Sequence, residues 1–132
     1  MRLLFSLIVL LLCGCQPATP PQLDQQVSYQ VSLDGHQLTY SPARLPVESL
    51  LTLTFIPKQP ITSVSGTIEG ISNYMGLIPL SFSYDSTRKT WQSQFMLGAC
   101  TEPDMRWRLK LELKTVTGQI ILLEDHFTSS LY

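Results

Sequence analysis

The chain has 132 residues, with 9 basic and 10 acidic side chains and 44% hydrophobic residues. This length is enough for one ordinary domain. The near-zero net charge argues against a nucleic-acid-binding protein, which would need a basic surface. Three cysteines are too few for a disulfide-dense scaffold, and their odd number requires an explanation.

The amino-terminal residues have the pattern of a secretory signal. One basic residue, Arg2, precedes an uncharged and mostly apolar run over residues 3–12. This run is much shorter than the roughly 20 residues that span a bilayer as a helix. No later segment is long and apolar enough to do so. We therefore expect the signal to be removed and the rest of the chain to lie outside the membrane core.

The tetrapeptide Leu12-Cys13-Gly14-Cys15 resembles the lipobox of bacterial lipoproteins. This resemblance implies cleavage after Gly14, a thioether-linked diacylglycerol on Cys15 and acylation of the new amino terminus, such as palmitate. Several acyl chains provide the stable membrane anchoring that one chain alone does not. The residue directly after the lipidated cysteine is Gln16 and not an aspartate. In Gram-negative lipoproteins this implies an outer-membrane location facing the periplasm.

Three segments are expected along the chain. Residues 1–14 form the lipoprotein signal peptide, and residues 15–26 form the lipidated cysteine and a flexible tether. The tether is rich in proline and glutamine and has almost nothing to bury. Residues 27–132 form one folded domain.

Apolar and polar residues alternate through most of this domain, which predicts strands and no amphipathic helix. Asp34-Gly35 is a strong signal for a tight hairpin turn, and Pro79 indicates an edge strand or a bulge. The predicted strands cover residues 27–33, 36–40, 51–55, 64–68, 78–84, 91–97, 105–115 and 119–127.

The last two predicted strands differ in pattern. Over 105–115, apolar Trp107, Leu109, Leu111 and Leu113 alternate with a charged row, which is typical of a sheet with one solvated face. Residues 119–123 are almost continuously apolar and predict a strand buried on both faces. The fold class is all-β, an antiparallel immunoglobulin-like β-sandwich of seven or eight strands, with a small barrel as the alternative.

Catalysis is not indicated by the sequence. The two histidines, His36 and His126, stand in no recognisable nucleophile–base arrangement, and no phosphate-binding loop or dinucleotide motif is present. Glu124 and Asp125 are adjacent in a predicted strand, so their side chains point to opposite faces. We expect a non-enzymatic protein with no catalytic residues.

Cys100 is the cysteine left as a thiol once Cys13 is removed and Cys15 is lipidated. If successive strands alternate in direction, the connections at 41–48, 70–76 and 98–105 emerge at one end of the sandwich, together with His126. Met75, Cys100, Met105 and His126 would then share a neighbourhood. Thioether, thiolate and imidazole groups are ligands that select copper(I). Alternatively, Cys100 forms an intermolecular disulfide, or it and the two methionines are ordinary core side chains.

Three segments resemble the FixH/YtkA-like periplasmic β-sandwich proteins over about residues 61–123. They are Asn73 to Leu80, Trp91 to Leu97, and Met105-Arg106-Trp107-Arg108-Leu109. Some relatives in that family are linked to copper delivery during respiratory oxidase assembly. The resemblance implies a β-sandwich and a related accessory role, although the membrane helix of FixH-type members and a His-rich metal motif are absent from this chain.

The expected function is that of a membrane-anchored periplasmic lipoprotein, a binding or accessory module that handles copper(I). The alternative is a structural or protein-interaction lipoprotein of the envelope that holds no metal and contacts a protein partner through an exposed sheet edge or its polar loops.

Overall fold

The computed structural model describes residues 28–131, and this part of the chain is all-β. The signal peptide, Cys15 and the tether of 15–26 lie outside the described residues, as do Val27 and Tyr132. No helix long and apolar enough to cross a membrane occurs between residues 28 and 131. The nine strands are β1 (Tyr29–Leu33), β2 (His36–Ser41), β3 (Leu51–Ile56), β4 (Ile61–Gly70), β5 (Leu77–Ser81), β6 (Ser83–Asp85), β7 (Thr90–Phe95), β8 (Arg106–Thr115) and β9 (Ile120–Thr128).

The strands form two antiparallel sheets packed face to face. Sheet I has the order β1-β2-β3-β7-β6, and sheet II has the order β5-β4-β8-β9. If β2 is taken as the first strand of the pattern, this is the strand order of a seven-stranded immunoglobulin-like sandwich with one additional edge strand on each sheet, β1 and β5. The predicted sandwich is confirmed, and the structure has two sheets where the alternative barrel would have one closed sheet.

One predicted strand is two strands in the structure. The run over residues 78–84 pairs with β4 in sheet II up to Ser81, and then pairs with β7 in sheet I from Ser83. The chain changes sheets at Phe82, which accounts for the additional strand. Pro79 lies on the edge strand β5, as its missing N–H predicts.

The core is formed by the facing sides of the two sheets. Trp107, Leu109, Leu111 and Leu113 of β8 are all buried, as the alternation predicts. The intervening charged residues of β8 lie on the outer face, where Glu69 of β4 forms ion pairs with Arg108 at 2.8 Å and with Lys110 at 2.9 Å.

The prediction that residues 119–123 are buried on both faces is wrong. Leu123 is buried, but Ile120 is 49% exposed and Leu122 is 73% exposed. The reason is that the outer face of sheet II is uncovered, so every second residue of the run faces solvent.

The antiparallel pairing gives the sandwich two different ends. The loop end carries the long connections 42–50, 71–76 and 96–105, the start of β1 and the end of β9. The turn end carries the connections 34–35, 57–60, 86–89 and 116–119. The turn at 34–35 has positive φ at both Asp34 and Gly35 (50° and 85°), which is the backbone of the predicted tight hairpin.

Candidate functional site

Backbone hydrogen bonds join the connections of the loop end to one another. Glu48 N–H donates to Leu97 O at 2.8 Å, and Ile71 N–H donates to Arg106 O at 2.8 Å. Ser129 N–H donates to Met105 O at 3.1 Å, which ties the chain after β9 to the same end. The alternation of strand directions therefore does gather the three connections at one end, including the two in which soft ligands are expected.

Met75 and Cys100 lie in two of these connections that touch. Asn73 donates a hydrogen bond from Nδ2 to Cys100 Sγ at 3.4 Å, so the 71–76 loop contacts the 96–105 loop beside the thiol. Met75 lies over Gly98, and its Cε would be 3.3 Å from a Cβ placed on that glycine. Met75 is 40% exposed and Cys100 is half-buried, so both sulfur groups are close to the surface.

Hydrogen bonds alter the acidity of the Cys100 thiol. The backbone N–H of Glu102 has the largest effect and lowers the pKa of Cys100, the amide of Asn73 lowers it further, and partial desolvation opposes them. A lowered pKa increases the fraction of thiolate near neutral pH, and the thiolate is the form that binds metals and reacts as a nucleophile.

Met105 belongs to the core of the loop end. It is fully buried, and its Cε packs against Gly70, the residue that ends β4. A Cβ on Gly70 would collide with this methyl group and with the carbonyl oxygen of Asn73. Met105 thus supports the turn that leads into the Met75 loop, and its thioether is covered by the protein.

His126 lies on the outer face of sheet II. Its Nε2 is 3.0 Å from Glu124 Oε1, and its cross-strand neighbour is Arg108. A shallow cleft of about 320 Å³ beside it is also lined by Arg106 and Arg108. These guanidinium groups oppose the binding of a cation at this position. The structure therefore brings the loops of Met75 and Cys100 into contact and leaves Met105 buried. It places His126 away from them, between Glu124 and Arg108.

Oxygen and nitrogen ligands are not clustered in the described part of the chain. Between residues 28 and 131, no three His, Cys, Asp or Glu side chains are grouped so that they could hold a metal ion. His36, the other histidine, is fully buried at the start of β2, stacked on Phe55. A metal at the loop end would accordingly depend on thioether ligands as well as the thiolate.

Two features were missed by the sequence reasoning. Asn73 carries no recognisable motif, and its contact with Cys100 depends on how two distant loops pack. A cleft at the turn end is lined by Lys58, Tyr84, Lys89 and Trp91, which lie in separate segments and show no common spacing. Tyr84 lies in the middle of β6 and not at the end of a longer strand, and the approach of residues 57–62 to it depends on how the two sheets pack.

Comparisons with known proteins bear on the fold. No family model matches the chain, and no curated protein matches it. Among solved structures, it is similar to the crystal structure of a DUF4426 family protein from Pseudomonas aeruginosa PAO1, with a TM-score of 0.51 and 12% sequence identity. The match covers 76% of this chain and 93% of that chain. At this identity the likeness shows a shared β-sandwich fold.

Proposed function

We propose that this chain is a lipid-anchored accessory module of the bacterial envelope that binds copper(I) through Met75 and Cys100. The observation that carries the proposal is the contact between their two loops, which places a thioether and a thiol of lowered pKa at the same exposed end. The role is binding and delivery, without catalysis.

The chemistry of the two side chains favours copper(I). Sulfur ligands are soft and select this ion over the hard cations that prefer oxygen. A thiol with a lowered pKa loses its proton at less cost when the metal binds. Partial exposure of both groups lets an incoming or outgoing ion reach them from another protein, as a delivery module requires.

The proposed location follows from the lipobox at residues 12–15. Strand β1 starts at the loop end, so the tether joins the domain on the side that carries Met75 and Cys100. The site would then lie on the membrane side of the domain in the outer membrane of a Gram-negative bacterium. The resemblance to FixH/YtkA-like proteins makes a metal-receiving envelope protein of oxidase assembly the partner to test.

A copper(I) titration tests the metal proposal. The domain lacking residues 1–21 keeps every strand and is titrated anaerobically against a chromophoric copper(I) chelator. We expect one equivalent to bind, Cys100→Ser to abolish binding and Met75→Leu to weaken it. His126→Gln is the matched control and leaves the affinity unchanged, and Met105→Leu tests whether the buried thioether takes part. Absence of binding, or binding insensitive to Cys100→Ser, contradicts the proposal.

Fractionation of cells tests the anchor. The full chain should partition into outer membranes and incorporate labelled palmitate, whereas Cys15→Ser should do neither. Cys13→Ser is the control, because that cysteine is removed with the signal peptide. Palmitate incorporation into the Cys15→Ser variant contradicts lipidation at this position.

A second candidate function is supported by the uncovered edge of sheet II. Strand β9 is nine residues long, contains no proline and exposes Ile120 and Leu122. An extended segment of an envelope protein could add to this edge as a further strand. Crosslinking from position 120 in cells would detect such a partner, and Leu122→Lys would weaken the crosslink without changing copper(I) binding.

A further inference from the structure

A cleft of about 550 Å³ opens at the turn end, on the opposite side of the domain from Met75 and Cys100. One wall is the connection from β3 to β4 with the start of β4, residues 57–62. The other wall is formed by Tyr84 of β6, Trp91 of β7 and Lys89 from the turn between them. Its volume lies in the range of about 300–1,000 Å³ that is usual for small-molecule sites.

An aromatic corner forms one side of this cleft. Tyr84 and Trp91 are directly opposite each other on β6 and β7, with ring centroids 5.0 Å apart and ring planes at 45°. Tyr84 is 52% exposed and Trp91 is half-buried. Aromatic surface left open next to polar groups is typical of a place where a ligand ring with an apolar face can pack.

The charged side chains that line the cleft are all basic. Lys58 and Lys89 are among the lining residues, and none of the lining residues is acidic. This contrasts with the chain as a whole, whose formal net charge is −1. A ligand that enters the cleft with a negative charge is therefore favoured over a neutral one of the same shape.

Lys58 is held in position by its neighbours. Its backbone N–H donates to Nδ1 of the buried His36 at 3.3 Å, and its Nζ donates to Asp34 O at 2.6 Å. Pro57 and Pro60 restrict the backbone on either side of it. An ammonium group has three donors, so Lys58 keeps donors for a ligand while its position is fixed in advance, which lowers the entropic cost of binding.

We propose that this cleft binds a carboxylate-bearing saccharide. One sugar ring packs its apolar C–H face against Tyr84 and Trp91, and its carboxylate pairs with Lys89 and Lys58. The ring hydroxyls meet the polar groups of the 57–62 wall, where Thr62 Oγ1 donates its proton to Lys114 O and keeps its lone pairs for a ligand hydroxyl. This function is independent of the copper(I) site and lies at the other end of the domain.

The shape of the site argues against an added peptide strand. The free edge beside the cleft is β6, which has only three residues. Such a short edge offers few backbone hydrogen bonds to an incoming strand, and strand addition depends on these bonds. A compact ring with one acidic group matches the short aromatic corner and the two lysines of the cleft better.

Binding of trigalacturonic acid tests the proposal, with maltotriose as the neutral saccharide and triglutamate as the acidic peptide. The full chain is purified in detergent and titrated by tryptophan fluorescence and by calorimetry. Trp107 is 1% exposed, so a change in emission reports on Trp91. We expect saturable binding of trigalacturonic acid that weakens as salt is raised, and at least about tenfold weaker binding of the other two probes.

Three variants test whether trigalacturonic acid binds in this cleft. Lys89→Gln should weaken trigalacturonic acid binding by about tenfold, since it removes a charge-assisted contact. Trp91→Phe should weaken it in calorimetry while the melting curve confirms folding. Arg106→Gln removes one positive charge at the loop end and should change nothing. The proposal is overturned if trigalacturonic acid shows no saturable binding, if maltotriose or triglutamate binds equally well, or if Lys89→Gln binds like the parent chain.

Discussion

The Tyr40 hydroxyl donates a hydrogen bond of 2.7 Å to Asp125 Oδ2 and thereby joins the two sheets near the loop end. Tyr40 belongs to β2 of sheet I, and Asp125 belongs to β9 of sheet II. The Tyr40 ring is fully buried and packs against Phe127 with centroids 5.1 Å apart. Because Glu124 points outward to His126 while Asp125 points inward, the two adjacent carboxylates have separate partners.

We expect Tyr40→Phe to lower the free energy of unfolding by about 1–2 kcal/mol, because it leaves the Asp125 carboxylate without its donor in a partly buried place. Urea denaturation followed by fluorescence measures this loss. Tyr84→Phe is the matched control, since its ring is exposed at the turn end and should change stability little. Equal midpoints for Tyr40→Phe and the parent would show that the inter-sheet hydrogen bond contributes nothing.

The same residue predicts a loss of stability at high pH. Burial, followed by the hydrogen bond and the charge of Asp125, raises the pKa of Tyr40 far above its ordinary value of 10.0. Above pH 10 the unfolded chain therefore releases a proton that the folded chain retains, so stability falls as pH rises. Tyr40→Phe should flatten this decline between pH 9 and 11 in thermal melts, and an unchanged slope would contradict the assignment.

The buried His36 leads us to expect a second pH dependence of stability, in which stability falls as pH falls. Burial lowers its pKa below 6.5, the nearby Lys58 lowers it further, and Asp34 partly opposes them. The folded domain keeps the imidazole neutral while the unfolded chain takes up a proton, so stability is present above pH 6.5 and is lost as pH falls.

His36→Phe keeps a ring stacked on Phe55 and removes the titrating group. Its melting temperature should therefore depend less on pH between 8 and 5.5 than that of the parent. The interpretation fails if His36→Phe follows the parent curve.

The strands and the end at which each loop emerges could be predicted because they depend on local patterns. Alternation along β8 identifies its buried face, and the count of strand reversals places residues 71–76 and 96–105 together. The exposure of Leu122 depends instead on the outer face of sheet II being uncovered. An apolar run has the same local pattern whether one or both faces of its sheet are covered, so this exposure was not predictable.

The candidate site was likewise predicted only in part, because some of its features depend on strand topology and others on tertiary packing. Topology brings Met75 and Cys100 to one end, whereas the burial of Met105 depends on the close packing of its methyl group against Gly70. The position of His126 beside Arg108 depends on strand register. Contacts between residues far apart in the chain, such as Asn73 with Cys100 and Lys58 with His36, leave no signal in a single sequence.

Gly70 is predicted to control the geometry of the Met75 loop. A Cβ at this position would collide with Asn73 O and with Met105 Cε, so Gly70→Ala should destabilise the domain by about 2 kcal/mol. Gly98→Ala is the control, because its Cβ would meet only the exposed and flexible Met75 side chain and should cost less than about 0.5 kcal/mol. Chemical denaturation of both variants decides the matter, and similar costs would contradict the steric explanation.

Neighbouring leucines on β9 should respond very differently to the same substitution. Leu123 is 5% exposed and packs in the core, so Leu123→Ala removes buried methyl groups and should lower the free energy of unfolding by about 3 kcal/mol. Leu122 is 73% exposed on the outer face of the edge strand, and Leu122→Ala should stay within about 0.5 kcal/mol of the parent. The urea denaturation midpoints of the two variants give a direct comparison of the buried and the exposed face of β9. If Leu122→Ala proves as costly as Leu123→Ala, the outer face of β9 is covered in solution.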